Sequence, residues 1–338
     1  MLKRRRFTIK DVARLAGVSD STVSRVLTNH PAVSEKTRRD VLAAIDSSGY
    51  LPDSVARCLV TGRSNALAFI TEDIRNPFFA EIARGVEDAA GAEGYHVIYC
   101  STDGDPEKEK MYVELMIGYR VSGIVFTSYS GSREILGFAG CQGVPSVLVN
   151  RYFDYLETDC VVVDNMTGAY EATKHLTHLG HTRIAHIGGG FKSSTSLERR
   201  AGYEKALRDS GLEVDETIIT PGNLRFGTGY EKAARLLEFS GVTAIFAAND
   251  LMAMGAWQAC QEKKRSVPDD IAIVGFDDIE LASFPNISLT TVRQPKYDLG
   301  RLSVELLLRR VRGLGDKHFE KVLLPTELVI RKSSGVRA

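Results

Sequence analysis

Asp20, Ser21 and Arg25 are the residues whose types and spacing point most directly to chemistry. On a helix these three positions share one face. Short hydrogen-bonding side chains at a helix start, with an arginine one turn on, can reach base edges in the DNA major groove. Arg25 suits a bidentate contact to guanine O6 and N7, and Asp20 either accepts from a cytosine amine or orients Arg25. The elements that must hold them lie in TIKDVARLAGVSDSTVSRVL, residues 8–27. This stretch predicts two short helices joined by a tight turn at Gly17. Thr8 can cap the first helix with Asp11 three residues on, and Val12, Ala13 and Ala16 give it an apolar face. The second, about 20–28, buries Val23, Val26 and Leu27 and turns Asp20, Ser21, Thr22 and Arg25 outward. Ser34 starts a third helix whose Val41, Leu42 and Ile45 close a small core with Val23 and Tyr50.

The charge distribution agrees with a phosphate partner at this end. The chain carries 43 Lys/Arg and 43 Asp/Glu over 338 residues. Residues 1–62, with Lys3, Arg4, Arg5 and Arg6 at their start, hold eleven basic against six acidic side chains, a net +5 that leaves −5 for the rest. A basic head on an acidic body fits nucleic-acid binding by the head alone.

Residues 51–62, LPDSVARCLVTG, form a linker with helical potential, opened by Pro52 and too short to be a stable helix alone. A helix here would align Val55, Ala56 and Leu59. Small Ala56 would let it lie against a minor groove, and Leu59 could wedge between base pairs and kink the duplex. The plainer alternative is an amphipathic connector.

From residue 64 the pattern becomes apolar strand-like runs alternating with amphipathic helices. ALAFIT (66–71), HVIYCST (96–102), GIVFTS (123–128) and PSVLVN (145–150) read as strands buried on both faces, as parallel sheets require. RIAHIGG (183–189), TAIFAAND (243–250) and IAIVGFDD (271–278) form a second set. The fold class is therefore a small all-α helix-turn-helix head plus an α/β body of two doubly wound parallel-sheet subdomains. The expected boundaries are 1–50 for the head, 51–63 for the linker, 64–163 with 293–319 for the first subdomain, and 164–292 with 320–338 for the second. A helix at 297–312 and a strand at 321–331 should pass back between the subdomains.

Two such sheets facing each other make a crevice at the carboxyl ends of their strands. Candidate liners fall just after strands: Asp73, Phe78, Phe79, Asp103, Tyr129, Asn150, Ser193, Thr195, Arg199, Asn249 and Asp277, with Thr102, Arg151 and Asp250 beside them. Carboxylates and amides grip hydroxyls while an aromatic face covers C–H groups, so the set suits a polyol. Phe78 and Phe79 cannot both face the crevice. Asp103 also fits a helix start, and Asp250 a helix cap.

Seven segments together resemble one family: TIKDVARLAGVSDSTVSRVL, VSEKTRRDVLAAI, GYLPDSVARCL, NPFFAEIARGVE, LGHTRIAHIGG, ANDLMAMGA and IVGFDDIELA. In order and spacing, from about residue 7 to 332, they are similar to the LacI/GalR family of bacterial transcription regulators. The resemblance implies a homodimeric repressor, binding pseudo-palindromic operator DNA and sensing a small molecule in a body like the periplasmic sugar-binding proteins. It makes Asp20, Ser21 and Arg25 base-contacting. Thr8, Ser19, Thr22, Ser24, Asn29, Ser34, Thr37 and Tyr50 match its phosphate-contacting positions. It implies paired hinge helices in the minor groove around Val55, Ala56 and Leu59. Asp53 and Cys58 depart from its common Asn and Ser. Arg199, Asn249 and Asp277 become the strongest effector contacts, with Phe79 or Phe78 as the stacking ring. A purine-sensing member would carry arginine where Ser193 stands, which favours a sugar. A phosphorylated carrier protein acting as corepressor is the further alternative. Dimer contacts are expected on helices such as 78–92 and 251–264.

Five scattered cysteines without a CxxC fit a reducing cytoplasm rather than disulfides or zinc. MLKRRRF starts like a signal peptide, but polar TIKDVARLAG follows, and no run approaches the roughly 20 apolar residues of a membrane span. The expectation is a cytoplasmic regulator with no cofactor, metal, membrane partner or enzymatic activity. GGG at 188–190 lacks the G-x-G-x-x-G spacing, and His175, His178 and His181 read as packing and turning residues rather than ligands. A transport protein sharing the body would need a leader and no DNA-reading head.

Overall fold

The computed structural model describes residues 7–27, 30–50, 64–127, 132–153, 155–190, 193–238, 241–315 and 318–335. The linker residues Asp53, Val55, Ala56, Cys58 and Leu59, and also Lys3–Arg6, Asn29 and Tyr129, lie outside the described residues. The chain divides into two compact units, residues 1–64 and 65–338.

The first unit holds α1 (Ile9–Ala16), α2 (Asp20–Leu27) and α3 (Glu35–Ser48). Local polar bonds set all three starts. The Thr8 amide and hydroxyl both donate to the Asp11 carboxylate, at 3.0 and 2.8 Å. Ser19 Oγ accepts from the Thr22 amide and Ser34 Oγ from the Thr37 amide, each at 3.2 Å. Gly17 ends α1 at φ 64°, a left-handed conformation in which glycine meets no Cβ penalty. Val12, Ala13, Val23, Val26, Val41 and Ala44 are buried. Leu42, expected in this core, is instead half-exposed, and Ala44 takes the inward place. The helical period explains this, because residue 44 returns to the face of Val41 while residue 42 is turned about 100° away. Ala16, Leu27, Ile45 and Tyr50 pack at the core's edge.

The second unit contains two six-stranded sheets. The first joins β1 (Ala66–Thr71), β2 (His96–Ser101), β3 (Gly123–Phe126), β4 (Ser146–Val149), β5 (Asp159–Val163) and β11 (Lys321–Leu324) in the order β11-β5-β4-β3-β1-β2, all parallel. The second joins β6 (Ile184–Gly188), β7 (Ile219–Pro221), β8 (Ala244–Ala247), β9 (Ala272–Asp277), β10 (Thr290–Arg293) and β12 (Glu327–Val329) in the order β12-β10-β9-β8-β6-β7. Only β12 runs antiparallel, against β10. Covering helices are α4 (Pro77–Ala92), α5 (Pro106–Gly118), α6 (Arg133–Cys141), α7 (Asn165–His178), α8 (Ser194–Arg208), α9 (Phe226–Leu236), α10 (Asp250–Glu262) and α11 (Lys296–Val311).

Three features differ from expectation. β5, β7 and β10 were not anticipated. β2 is an edge strand with exposed His96 and Tyr99, not one buried on both faces. The single strand expected at 321–331 is two: β11 pairs with β5 in the first sheet and β12 with β10 in the second. The 320–338 segment therefore does not belong wholly to the second subdomain. The Asp159 carboxylate accepts two bonds from Arg310 and one from the Glu320 amide, fixing where α11 and β11 join the first sheet. Helix α11 lies directly on α4. A Cβ on Gly85 would stand 2.1 Å from the Tyr297 carbonyl oxygen, and one on Gly300 2.1 Å from that of Ile82.

Candidate functional site

Two surfaces carry the polar chemistry. On the head, Asp20, Ser21, Ser24 and Arg25 are exposed along α2 while Val23 and Val26 anchor its other face. Thr22 is half-buried, and the Ser19 hydroxyl bonds those of Ser21 and Thr22 at 2.8 and 2.9 Å. Thr8 and Ser34 act as helix-start residues, and the Thr37 hydroxyl bonds that of Ser34 at 2.9 Å. Such capping leaves phosphate contact open, since a hydroxyl has more than one bonding direction.

In the body, loops after β1 and β7 face each other across a cavity of about 300 Å³. Its walls include Glu72, Asp73, Asn76 and Phe79 on one side and Asn223, Leu224 and Arg225 on the other. Among the effector candidates, Asp73 and Phe79 reach this cavity. The Asp73 carboxylate is clasped by Arg75 Nε and Nη2 at 2.9 and 2.8 Å, and this guanidinium holds it below the usual carboxylate range. Phe78 lies in the core, its ring centroid 5.2 Å from that of Phe79. Asn76 caps α4, its Oδ1 accepting from the Phe78 amide.

Arg199, Asn249 and Asp277 are buried and do not line the cavity. Arg199 Nη1 stands 3.8 Å from Asp277 Oδ1, its Nε donates to Asn165 Oδ1 at 2.9 Å, and its guanidinium lies 3.7 Å above the Phe276 ring. Burial pulls the Arg199 guanidinium down to about 10 and pushes the Asp277 carboxyl up to about 7. Asp277 Oδ1 also accepts from Gln294 Nε2 at 2.6 Å. Asn249 caps α10 and donates from Nδ2 to the Leu224 carbonyl, so it braces the cavity wall from behind. Leu224 is held at φ 63°, a costly conformation without glycine.

Among the described residues, the side-chain oxygens buried without a hydrogen-bond partner include Thr71 Oγ1, Asn150 Oδ1 and Gln294 Oε1, at or just after the carboxyl ends of β1, β4 and β10. Buried acceptors are seldom left so, and a ligand hydroxyl would satisfy them. The Ser193 and Thr195 hydroxyls bond each other at 2.5 Å. Asp103 is exposed at φ 57°; its carboxylate engages Lys108 at 2.6 Å and its carbonyl accepts from Arg225 of the cavity wall at 3.2 Å, although Asp103 itself is not a lining residue. Asp250 neither caps α10 nor lines the cavity. Its carboxylate accepts from the Thr291 hydroxyl and the Ile279 amide, pinning the loop after β9 to β10. His175 and His181 are taken up by the separate hydroxyls of Ser334 and Thr243.

Gln294, Asn165, Leu224 and Arg225 were missed from sequence. Gln294 follows β10 as the other candidates follow their strands, but residues 290–293 were not read as a strand, so the rule had nothing to start from there.

Residues 8–53 match the model of bacterial regulatory proteins of the lacI family, and 173–334 that of a periplasmic binding protein-like domain. The HTH-type transcriptional regulator DegA of Bacillus subtilis (strain 168) is 38% identical over 330 residues, covering 97% of this chain and 98% of DegA. The chain belongs to the lacI family of bacterial regulators. Another relative, the HTH-type transcriptional repressor PurR of Photobacterium profundum, is 36% identical over 96% of this chain and 98% of its own. The lac repressor dimer bound to operator and the anti-inducer ONPF superposes with a TM-score of 0.86 at 30% identity, covering 98% of this chain and all of that one. The complex of the regulator CelR with cellobiose gives 0.75 at 31%, covering 97% and 100%. This lacI-family chain is thus a DNA-binding transcriptional regulator with an effector-binding body, and these relatives are regulators rather than enzymes. Among the described residues no helix is long and apolar enough to cross a membrane.

Proposed function

We propose that this chain is a repressor whose operator affinity is set by a neutral sugar held between the two subdomains. The partnerless buried oxygens of Asn150 and Gln294 carry this reading, supported by the cellobiose held by CelR. A polyol supplies the missing donors and Phe79 covers a C–H face, while Arg199 and Asp277, buried behind the cavity here, bind further hydroxyls once the wall at Leu224 gives way. Acidic and basic side chains both line the cavity, Glu72 and Asp73 against Arg75 and Arg225, which fits a ligand without net charge.

In the head, Arg25 reads guanine with Asp20 and Ser21 beside it. Thr8, Ser19, Thr22, Ser24, Asn29, Ser34, Thr37 and Tyr50 bind phosphates. Val55, Ala56 and Leu59 enter the minor groove. The working form is a homodimer on a pseudo-palindromic site. Apolar hollows on the expected helices support it: Ile74, Ala83 and Tyr99 beside α4, and Phe226, Met254 and Trp257 beside α10.

The carrier-protein alternative is less well supported. In the groove between α4 and α11, Arg301, Arg309 and Arg312 are already paired with Glu305, Glu320 and Glu93. A phosphorylated partner would have to displace those pairs. Ser193, in place of an arginine, favours sugar over purine.

A thermal-shift panel of cellobiose, D-ribose, inosine and guanosine tests the class of ligand. A sugar should raise the melting temperature in proportion to its occupancy, and the same sugar should change operator occupancy in a titration. Stabilisation by the nucleosides alone, or a binding sugar that leaves operator occupancy unaltered, would overturn the proposal.

A further inference from the structure

Arg199 is not held only by groups beside it. Its Nε donates to Asn165 Oδ1, and Asn165 Nδ2 donates in turn to Glu198 Oε2 at 3.0 Å. The other oxygen, Glu198 Oε1, accepts from the Tyr152 hydroxyl at 2.7 Å. Tyr152 belongs to the loop between β4 and β5, on the first sheet, whereas Glu198 and Arg199 are neighbours on α8, on the second. A second bond ties the same two elements, from the Tyr152 amide to Ser194 Oγ at 3.1 Å. The tyrosine ring is steadied from its own sheet by Lys321, whose Nζ lies 3.1 Å from the ring centroid.

We infer that Glu198 is a positioning residue through which closure of the two subdomains, reported by Tyr152, sets the guanidinium of Arg199. The inference rests on the effector-site reading above and adds how that site is regulated. The loop carrying Tyr152 moves with the first sheet and α8 moves with the second. Opening of the crevice must therefore break the Tyr152–Glu198 bond. Glu198 then loses one of its two donors and its grip on Asn165 slackens; Asn165 stays tethered to the Val163 carbonyl and Arg199 Nη1 to that of Ala248, so what changes is the aim of Asn165 Oδ1 at Arg199 Nε. By linkage, any ligand that prefers the fixed guanidinium favours the closed body to the same extent. Asn165 is almost wholly buried, so the relay has little solvent to substitute for a lost partner.

The test uses the full ligand-free chain, so it does not depend on which molecule the crevice takes. Tyr152→Phe removes one hydroxyl. Glu198→Gln keeps the shape but presents an NH2 group to one of two donors. Amide exchange at position 152 should accelerate about tenfold in both variants, the effect of losing one charge-assisted bond, with β1 and β8 amides unchanged. The Arg199 Nε–H resonance, three residues along the relay from Tyr152, should shift and exchange faster in Tyr152→Phe. The double variant should do no more than either single one. An unmoved Arg199 resonance in Tyr152→Phe, or additive effects, overturns the inference. If Glu198→Gln does not fold, Tyr152→Phe decides the matter. Failure of the sugar panel, with the relay intact, would instead count against the effector reading.

Discussion

The head and the crevice place their polar side chains in opposite ways. On α2 the polar residues lie at the surface, and the bonds that organise them span two or three positions, as from Ser19 to Ser21 and Thr22. Around Arg199 they are largely buried, and the bonds that hold them join distant residues: Gln294 to Asp277, 17 positions apart, Arg199 to Asn165, 34, and Tyr152 to Glu198, 46. The head can therefore lose a functional side chain without losing its fold, whereas the crevice cannot. Exposed groups exchange protein for water at little cost, while a buried partner left alone retains its full desolvation penalty.

The sharpest way to break this contrast is Arg199→Ala. It leaves Asp277 buried without its cation and should destabilise the body by about 3–5 kcal/mol, seen as a lower urea midpoint, with ligand binding lost as well. A fully stable Arg199→Ala body would show that the crevice tolerates loss as the head does. Arg25→Ala should leave the urea midpoint unchanged and weaken operator binding by about 1–3 kcal/mol, read by anisotropy at fixed salt. If it unfolds the head instead, the side chain is structural and the distinction fails.

The smallest effect concerns pH. Burial raises the Asp277 carboxyl from an ordinary 3.8 to about 7, so the folded state favours its protonated form. That contribution is fully present below the ordinary value and is lost as pH rises through about 7. Asp277→Asn should flatten the decline of melting temperature between those limits, and an unchanged slope would assign the decline to other groups such as Asp250.

How much could be read from sequence follows the same division. Twenty consecutive residues hold the whole of α1, the turn and α2, because capping and apolar periodicity are local. The central strands were legible as apolar runs, for example β1 over Ala66–Thr71. β7 has only three residues and ends in Pro221, too short to show a period. Strand 321–331 was read as one because both halves are partly apolar, although Pro325 marks the break between β11 and β12. Arg199, Asn249 and Asp277 were found as residues, but not their burial behind the cavity. The partners that decide it, Asn165, Gln294 and Leu224, come from three other places in the chain.

The route of the backbone between the sheets, after β5, after β10 and between β11 and β12, limits how this protein can be cut. No uninterrupted stretch of sequence contains all six strands of either sheet without strands of the other. A fragment ending at Val163 lacks the helix that covers α4 and the strand that completes its sheet. Neither lobe is a separable module that a simple deletion could liberate; excising one intact would require circular permutation or splicing of the gene.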